Sequence, residues 1–304
     1  MLSEIAISII AFSIGSNNTS NAFGVPVGCG VISFRMAILL IGIFVTVGSL
    51  TQVKVLETVG SIAKLNCAMI LIVLVVSACM IVILNWKKLP VSSHQAIVGS
   101  MIGAGVVAGT AKLSVFASIV ISWIISPIGA LILAIVIYIL SEKIFSRIPV
   151  FVVERLLYIM LIISGILIAY NTGANELASA LAPVVSSKLI PHVEASVLGS
   201  ASLIAGALIL GGRVIETVGK DITTLDPLSG FSAQGSAGLT VFLFTLLGMP
   251  VSTTYCLIGG IVGVGLLKGV NAVKIKLLKK IVSIWIVSPL TAFMVTYIIA
   301  RVVL

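Results

Sequence analysis

Gly15-Ser16-Asn17-Asn18-Thr19-Ser20-Asn21-Ala22 decides the architecture, because it is met again, altered, as Gly173-Ala174-Asn175-Glu176-Leu177-Ala178-Ser179-Ala180. Working outward, three more pairs recur in the same order. Glu57-Thr58-Val59-Gly60 returns as Glu216-Thr217-Val218-Gly219, and Pro90-Val91-Ser92-Ser93 as Pro250-Val251-Ser252-Thr253. Trp123-Ile124-Ile125-Ser126-Pro127 returns as Trp285-Ile286-Val287-Ser288-Pro289. Every pair is separated by about 160 residues, so the chain is a duplicated unit of about half its length. The two copies are taken as residues 1–150 and 151–304.

Composition sets the solvent. The chain is 60% hydrophobic and 9% charged, with a mean hydropathy of +1.31. Soluble domains run at roughly 45–50% apolar and about 25% charged. Met36–Leu50, Cys67–Asn85, Leu113–Leu140, Leu156–Tyr170, Ala237–Leu267 and Ile281–Ala300 are long enough to cross about 30 Å of hydrocarbon as helix. The short alternating segments of a β-barrel do not appear, so the fold class is an all-α integral membrane protein. Glu4 stands where a cleavable signal would be basic, which argues against a signal peptide. Cys29, Cys67, Cys79 and Cys256 lie singly in apolar runs and read as small buried hydrophobes. The formal charge of +9 is spread over short loops, which excludes a nucleic-acid surface and fits membrane topology. A duplicated chain of this apolarity points to a transporter built from two repeats.

Basic residues mark cytoplasmic loops. Lys87-Lys88, the stretch from Lys143 to Arg155, and Lys268, Lys274, Lys276, Lys279 and Lys280 are therefore expected inside. The lysine-rich loop at 268–280 corresponds to a region of the first copy that carries only Lys112, while Lys87-Lys88 corresponds to the uncharged Leu247-Gly248. The bias reverses between copies, as two repeats of opposite orientation require. Opposite orientation needs an odd number of crossings, and the units 1–32, 34–50, 66–85, 90–109 and 113–141 supply about five per copy. Both termini then lie outside the cell, with the protein in the plasma membrane. The first and fourth units of each copy are expected to be broken or re-entrant helices at the midplane.

Those units hold nearly all the polarity. A lipid-facing helix would leave the amides of Asn17, Asn18 and Asn21 without partners, so a helix break is expected at Gly15 and at Gly173. The Asn, Ser and Thr side chains suit the N-caps of following half-helices, whose free N–H groups and positive dipole ends would face an anion. Pro90-Val91-Ser92-Ser93-His94 and Pro250-Val251-Ser252-Thr253-Thr254 carry the same capping chemistry ahead of glycine-rich helices, where small residues let backbones approach. Trp123 and Trp285, each four residues before a proline, read as packing or anchoring residues. His94 beside a helix start fits a neutral hydrogen-bonding role as well as contact with the anion, and His192 reads as a solvated loop residue. Glu176 lies inside the first motif's second copy, where an intramembrane carboxylate marks function. Glu57 and Glu216 fit either function or pairing with Lys54 or Lys64 and with Arg213 or Lys220.

These residues resemble a known family. Gly15–Gly24 and Gly173–Pro183 resemble the twin GANDVANA-type signatures of the inorganic phosphate transporter (PiT) family, within the phosphate/sulfate permease superfamily. Pro250 to Tyr255 is similar to its PVSTTH element, and Gly219-Lys220-Asp221-Ile222 followed by Ser229-Gly230-Phe231 to the stretch between them. The resemblance covers the whole chain, which lacks the large central loop of animal members and looks like a short prokaryotic form. It implies a secondary transporter that imports phosphate with sodium or protons by alternating access. The substrate would be held by Asn17, Asn21, Asn175, Ser179, Ser92, Ser93, Ser252, Thr253 and Thr254. Cation coupling would fall to Asn18, Glu176, Glu57, Glu216 and Gln234, with sodium near Asn18 and Glu176.

The chain departs from the family where signature aspartates become Asn18 and Glu176, the closing Asn becomes Ser179, and a customary acid appears as Gln234. Fewer carboxylates leave less charge to offset a cation, which gives weight to proton coupling and to a proton-coupled sulfate permease as the alternative. An anion channel is the alternative of another class. No enzyme motif is present. The expected partners are an oxyanion and lipid, not nucleic acid, with homo-oligomerisation open and no cofactor beyond the coupling ion.

Overall fold

The computed structural model describes residues 2–86, 92–211, 226–269 and 275–303, and among these it holds helices and no strand. The first copy supplies α1 (Leu2–Gly28), α2 (Phe34–Thr51), α3 (Lys54–Gly60), α4 (Cys67–Trp86), α5 (Ser93–Val107) and α6 (Leu113–Phe145). In the second, α7 (Val150–Asn171) runs through a π-helical turn, Thr172–Leu177, into α8 (Ala178–Ser186). Helix α9 (His192–Gly206) continues into another π turn, Ala207–Gly211, and α10 (Pro227–Leu246), α11 (Thr253–Leu267) and α12 (Ile275–Val303) follow. Glu216, Lys87-Lys88 and Pro90-Val91 lie outside the described residues.

Phe34–Thr51, Cys67–Leu84, Leu113–Phe145, Val150–Ser186, His192–Gly211 and Val282–Val303 are long and apolar enough to span a bilayer, which makes this a multi-pass membrane protein. Helix α6 shows how such a helix is built. Ile121, Ile124, Ile125, Ile128 and Ile132 are exposed, while Ser122, Ser126, Ala130 and Ala134 are buried. Bulky aliphatics face outward and small or polar residues inward, as suits a helix solvated by lipid and packed by close approach. Helices α5 and α11 are different. Their 15 residues reach only about 22 Å, short of the hydrocarbon thickness.

The two copies pack reciprocally. Helix α5 lies against α12 of the other copy, and its counterpart α11 lies against α6; likewise α1 packs on α9, and α7 on α2. Glycines make these crossings possible. A Cβ on Gly99 would press into the Pro289 carbonyl oxygen, and one on Gly259 into that of Pro127, its repeat equivalent. A Cβ on Gly15 would overlap the Leu203 carbonyl oxygen, and one on Gly173 that of Val45.

This overturns the expectation of a broken helix at Gly15–Asn21. Helix α1 runs unbroken, and Gly15 and Gly173 serve helix contact, not helix termination. Ser16, Asn18, Thr19 and Ser20 need no break because they are buried and bonded within the protein. Ser16 Oγ donates to Ser13 O (2.8 Å), Thr19 Oγ1 to Gly15 O (2.5 Å) and Ser20 Oγ to Asn17 O (2.9 Å), all within the helix's own turns. The second copy keeps its helical course too, marking the motif only with the widened π turn.

Candidate functional site

The short helices α5 and α11 begin inside the protein. Their first turns hold Ser92, Ser93, Ser252 and Thr253, all buried, where helix-terminal N–H groups have no water to bond. Ser252 caps α11 conventionally, its Oγ accepting from Tyr255 N (3.4 Å). Ser92 Oγ and Thr253 Oγ1 are buried with no hydrogen-bond partner. Each of the two helix starts thus carries one buried hydroxyl that no protein group engages.

Glu176, in the π turn between α7 and α8, stands where these starts meet. Its Oε2 accepts from Asn18 Nδ2 of α1 and from Ser93 Oγ of α5 (3.4 Å), and Thr253 of α11 flanks it with hydroxyl and backbone N–H. The Thr253 hydroxyl approaches without closing a hydrogen bond. From Asn18 the chain of bonds continues: Asn21 Nδ2 donates to Asn18 Oδ1 (3.1 Å) and to Thr254 Oγ1 (2.9 Å). One connected network thus joins both signature motifs to both short helices. Asn18 and Glu176 are also repeat equivalents of one another, as are Gln95 and Tyr255, whose OH donates to Gln95 Oε1 (2.7 Å). Equivalent positions of the two copies thus touch each other within and beside this network. Ser13, Ile14, Asn17, Asn18, Ile81, Ser93 and Glu176 line a recess whose empty space, open mouth included, is about 200 Å³.

Other proposed ligands are committed elsewhere. Asn175 has its hydrogen-bonding positions filled by protein: Nδ2 donates to Thr245 Oγ1 (2.7 Å) and Met249 O (3.1 Å), and Oδ1 accepts from Val251 N (3.1 Å). Those partners fix the amide's orientation, so His94 Nε2, 2.7 Å from Oδ1, must be the donor, leaving Nδ1 buried and unpartnered. Asn175 is therefore a clamp between α5, α10 and the start of α11. Ser179 Oγ donates back to Asn175 O (2.8 Å). Gln234 Nε2 reaches Ala22 O (3.0 Å), Leu161 O (3.3 Å) and Ser164 Oγ (3.0 Å), which ties α10 to α1 and α7 outside the recess. Glu57 is exposed on α3, and Lys54, one of its two expected partners, instead donates to Leu246 O (3.0 Å).

The packing role read for the tryptophans takes a particular form. Trp123 Nε1 donates to Pro250 O (2.9 Å), and Trp285 stacks on Tyr255 with ring centroids 4.0 Å apart, so both hold the start of α11. His192 is no free loop residue, since its Nε2 donates to Ser49 O (3.0 Å) at the end of α2. Of the cysteines only Cys256 is buried; Cys67 and Cys79 are exposed on α4, where a thiol is apolar enough to face lipid. Ser13 and the Gln95–Tyr255 pair were missed in the sequence. The available signal was that Gln95 and Tyr255 occupy equivalent positions immediately after the capping motif.

Comparison with known proteins agrees with this architecture. The model of the phosphate transporter family matches residues 14–296. The chain belongs to the phosphate transporter family. Among its relatives, a candidate phosphate permease of Methanocaldococcus jannaschii is 38% identical, over 99% of this chain and 97% of the relative. A sulfate permease of Bacillus subtilis is 26% identical, over 95% of this chain and 84% of its own. A solved structure, that of a sodium-dependent phosphate transporter, shares the fold, with a TM-score of 0.85 at 24% identity, covering 99% of this chain and 98% of that one. Among the described residues of this family member, the paired signatures and the starts of α5 and α11 converge on one buried carboxylate, Glu176.

Proposed function

We propose that the chain imports inorganic phosphate across the cell membrane with a coupled cation, sodium or proton, by alternating access of two inverted halves, residues 1–150 and 151–304. The supporting observation is that the buried starts of α5 and α11, with unpaired hydroxyls of Ser92 and Thr253, meet beside Glu176, which with Asn17, Asn18 and Ser93 lines a recess drawing on both halves. A site drawing on both halves suits exposure to each side of the membrane in turn. Asn17, Ser93 and Thr253 are the anion donors in this reading, with Ser92 beside them. Glu176 carries the coupling charge. A proton needs only that carboxylate, whereas a sodium ion needs Asn18 to turn its amide oxygen toward Glu176, because the amide N–H now faces it.

The test is uptake of labelled phosphate and labelled sulfate into proteoliposomes, with sodium and pH gradients imposed separately. Accumulation of phosphate driven by one of the gradients supports the proposal. Gradient-driven uptake of sulfate alone would replace it with a sulfate permease, the reading favoured by the relative from Bacillus subtilis. Conductance in a planar bilayer beyond carrier turnover would replace it with a channel.

A further inference from the structure

We infer that, on the alternating-access reading above, the indoles of Trp123 and Trp285 are latches that close in turn, one in each state, and that the bond between Gln95 and Tyr255 is the fixed point between them.

When two copies of one unit exchange conformations, each bond of the first state is replaced in the second by a bond between the equivalent residues. A bond between a residue and its own equivalent is carried onto itself. Gln95 and Tyr255 are such a pair. Both are buried, and the Tyr255 OH donates to Gln95 Oε1 (2.7 Å), joining the first turn of α5 to the first turn of α11. This bond is available to both states.

The indoles behave otherwise. Trp123 Nε1 donates to Pro250 O (2.9 Å), which fastens α6 to the segment ahead of α11. Its equivalent Trp285, stacked on Tyr255, carries a buried Nε1 that has no partner among the described residues. Both indoles stand four residues before a proline on equivalent helices, and a buried N–H left unpaired is costly, so the difference between them calls for a state in which Trp285 is bonded. Asn175 shows the same asymmetry. It clamps Met249 O and Val251 N ahead of α11, while its equivalent Asn17 lines the recess. In the other state Trp285 is latched and Trp123 is released.

The test reads the balance of states in proteoliposomes of the full chain with Cys29, Cys67 and Cys79 replaced. Ile14 lines the recess open in this state, and Thr172 is its repeat equivalent. The labelling rate of Ile14→Cys over that of Thr172→Cys, with a small thiol reagent, follows the equilibrium whichever state is the minor one. An interaction present in one state alone shifts the balance by its own worth, and one present in both shifts nothing. Trp123→Phe should therefore lower the ratio about 2- to 12-fold, the worth of one hydrogen bond, and Trp285→Phe should raise it by a similar factor. Tyr255→Phe, which keeps the ring and removes only the OH, should leave the ratio within about twofold while lowering the unfolding temperature. Trp123→Leu and Trp285→Leu serve where a Phe variant fails gel filtration. A ratio unmoved by loss of either indole, or moved as far by Tyr255→Phe, overturns the inference and leaves transport standing. A wild type without gradient-driven uptake, whose ratio ignores phosphate and cation, overturns the transport reading itself.

Discussion

At the scale of single residues, hydroxyls of one type divide into those that hold the fold and those left for a ligand. Ser252 Oγ caps α11, whereas Ser92 Oγ and Thr253 Oγ1 bond nothing. Removing an unpaired hydroxyl takes nothing from stability but takes a donor from a bound anion. Ser92→Ala and Thr253→Ala should each weaken anion affinity by about 1–3 kcal/mol, with the unfolding temperature unchanged. Ser252→Ala should lower stability by about 1 kcal/mol through loss of the cap. Calorimetric titration and thermal unfolding of the three variants check this; a stability loss in Thr253→Ala without an affinity loss would remove it from the site.

Asp226 is a second residue with separable roles. Its carboxylate caps α10, accepting from Ser229 N (2.9 Å), and pairs with Lys268 at the end of α11. Burial pushes the carboxyl up, but the bonds from Lys268 and from Ser229 together outweigh it and hold the group below its ordinary value. A depressed folded value means the contribution is complete above the unfolded pKa of about 3.9 and is lost as pH falls through the lower folded one. With both side chains partly exposed, the pair itself is worth about 0.2–1 kcal/mol. A double-mutant cycle on Asp226→Asn and Lys268→Met should give one coupling energy from pH 8 to pH 5 and a falling one only below about pH 4. A change near pH 6 would assign the coupling to another group.

At the scale of elements, the glycines show what the sequence disclosed and what it hid. The duplication, the helical class and the close packing of α5 and α11 were legible, because repeats and small-residue spacing are local in sequence. The continuity of α1 was not. Gly15 followed by Asn17, Asn18 and Asn21 has the composition of a helix break, and only the position of α9 reveals that Gly15 makes room for the Leu203 carbonyl. The commitment of Asn175 to Thr245, Met249 and Val251 was hidden for the same reason, since its partners come from α10 and the start of α11. Glu176 was legible because an acid within an apolar motif is costly wherever it folds. Gly15→Ala should cost about 1–3 kcal/mol, as its Cβ meets backbone that cannot rotate away. Gly129→Ala is the control: its Cβ would sit 3.8 Å from Thr240 Cγ2, an ordinary contact, and should be neutral or stabilising by up to about 1 kcal/mol. Thermal unfolding that ranks the two equally would mean α1 and α9 can separate at no cost.

At the scale of the whole molecule, reciprocal packing and opposed orientation are two different properties, and the second needs its own measurement. The exchange of α5 and α11 between copies, and the meeting of Asn18 with Glu176, are the contacts an approximate two-fold axis would produce. They leave open whether that axis lies in the membrane plane. The lysine bias argues that it does, since Lys112 precedes α6 and the lysine-rich segment at 268–280 precedes and opens its counterpart α12. Equivalent helix starts would then face opposite sides. Cysteines introduced at Lys112 and at Lys276, in a chain whose exposed Cys67 and Cys79 are replaced, read this directly. With intact cells, an impermeant thiol reagent should label Lys112→Cys, and Lys276→Cys only after permeabilisation. Labelling of both positions from one side would put the axis along the membrane normal, and the two halves would have to be parallel repeats.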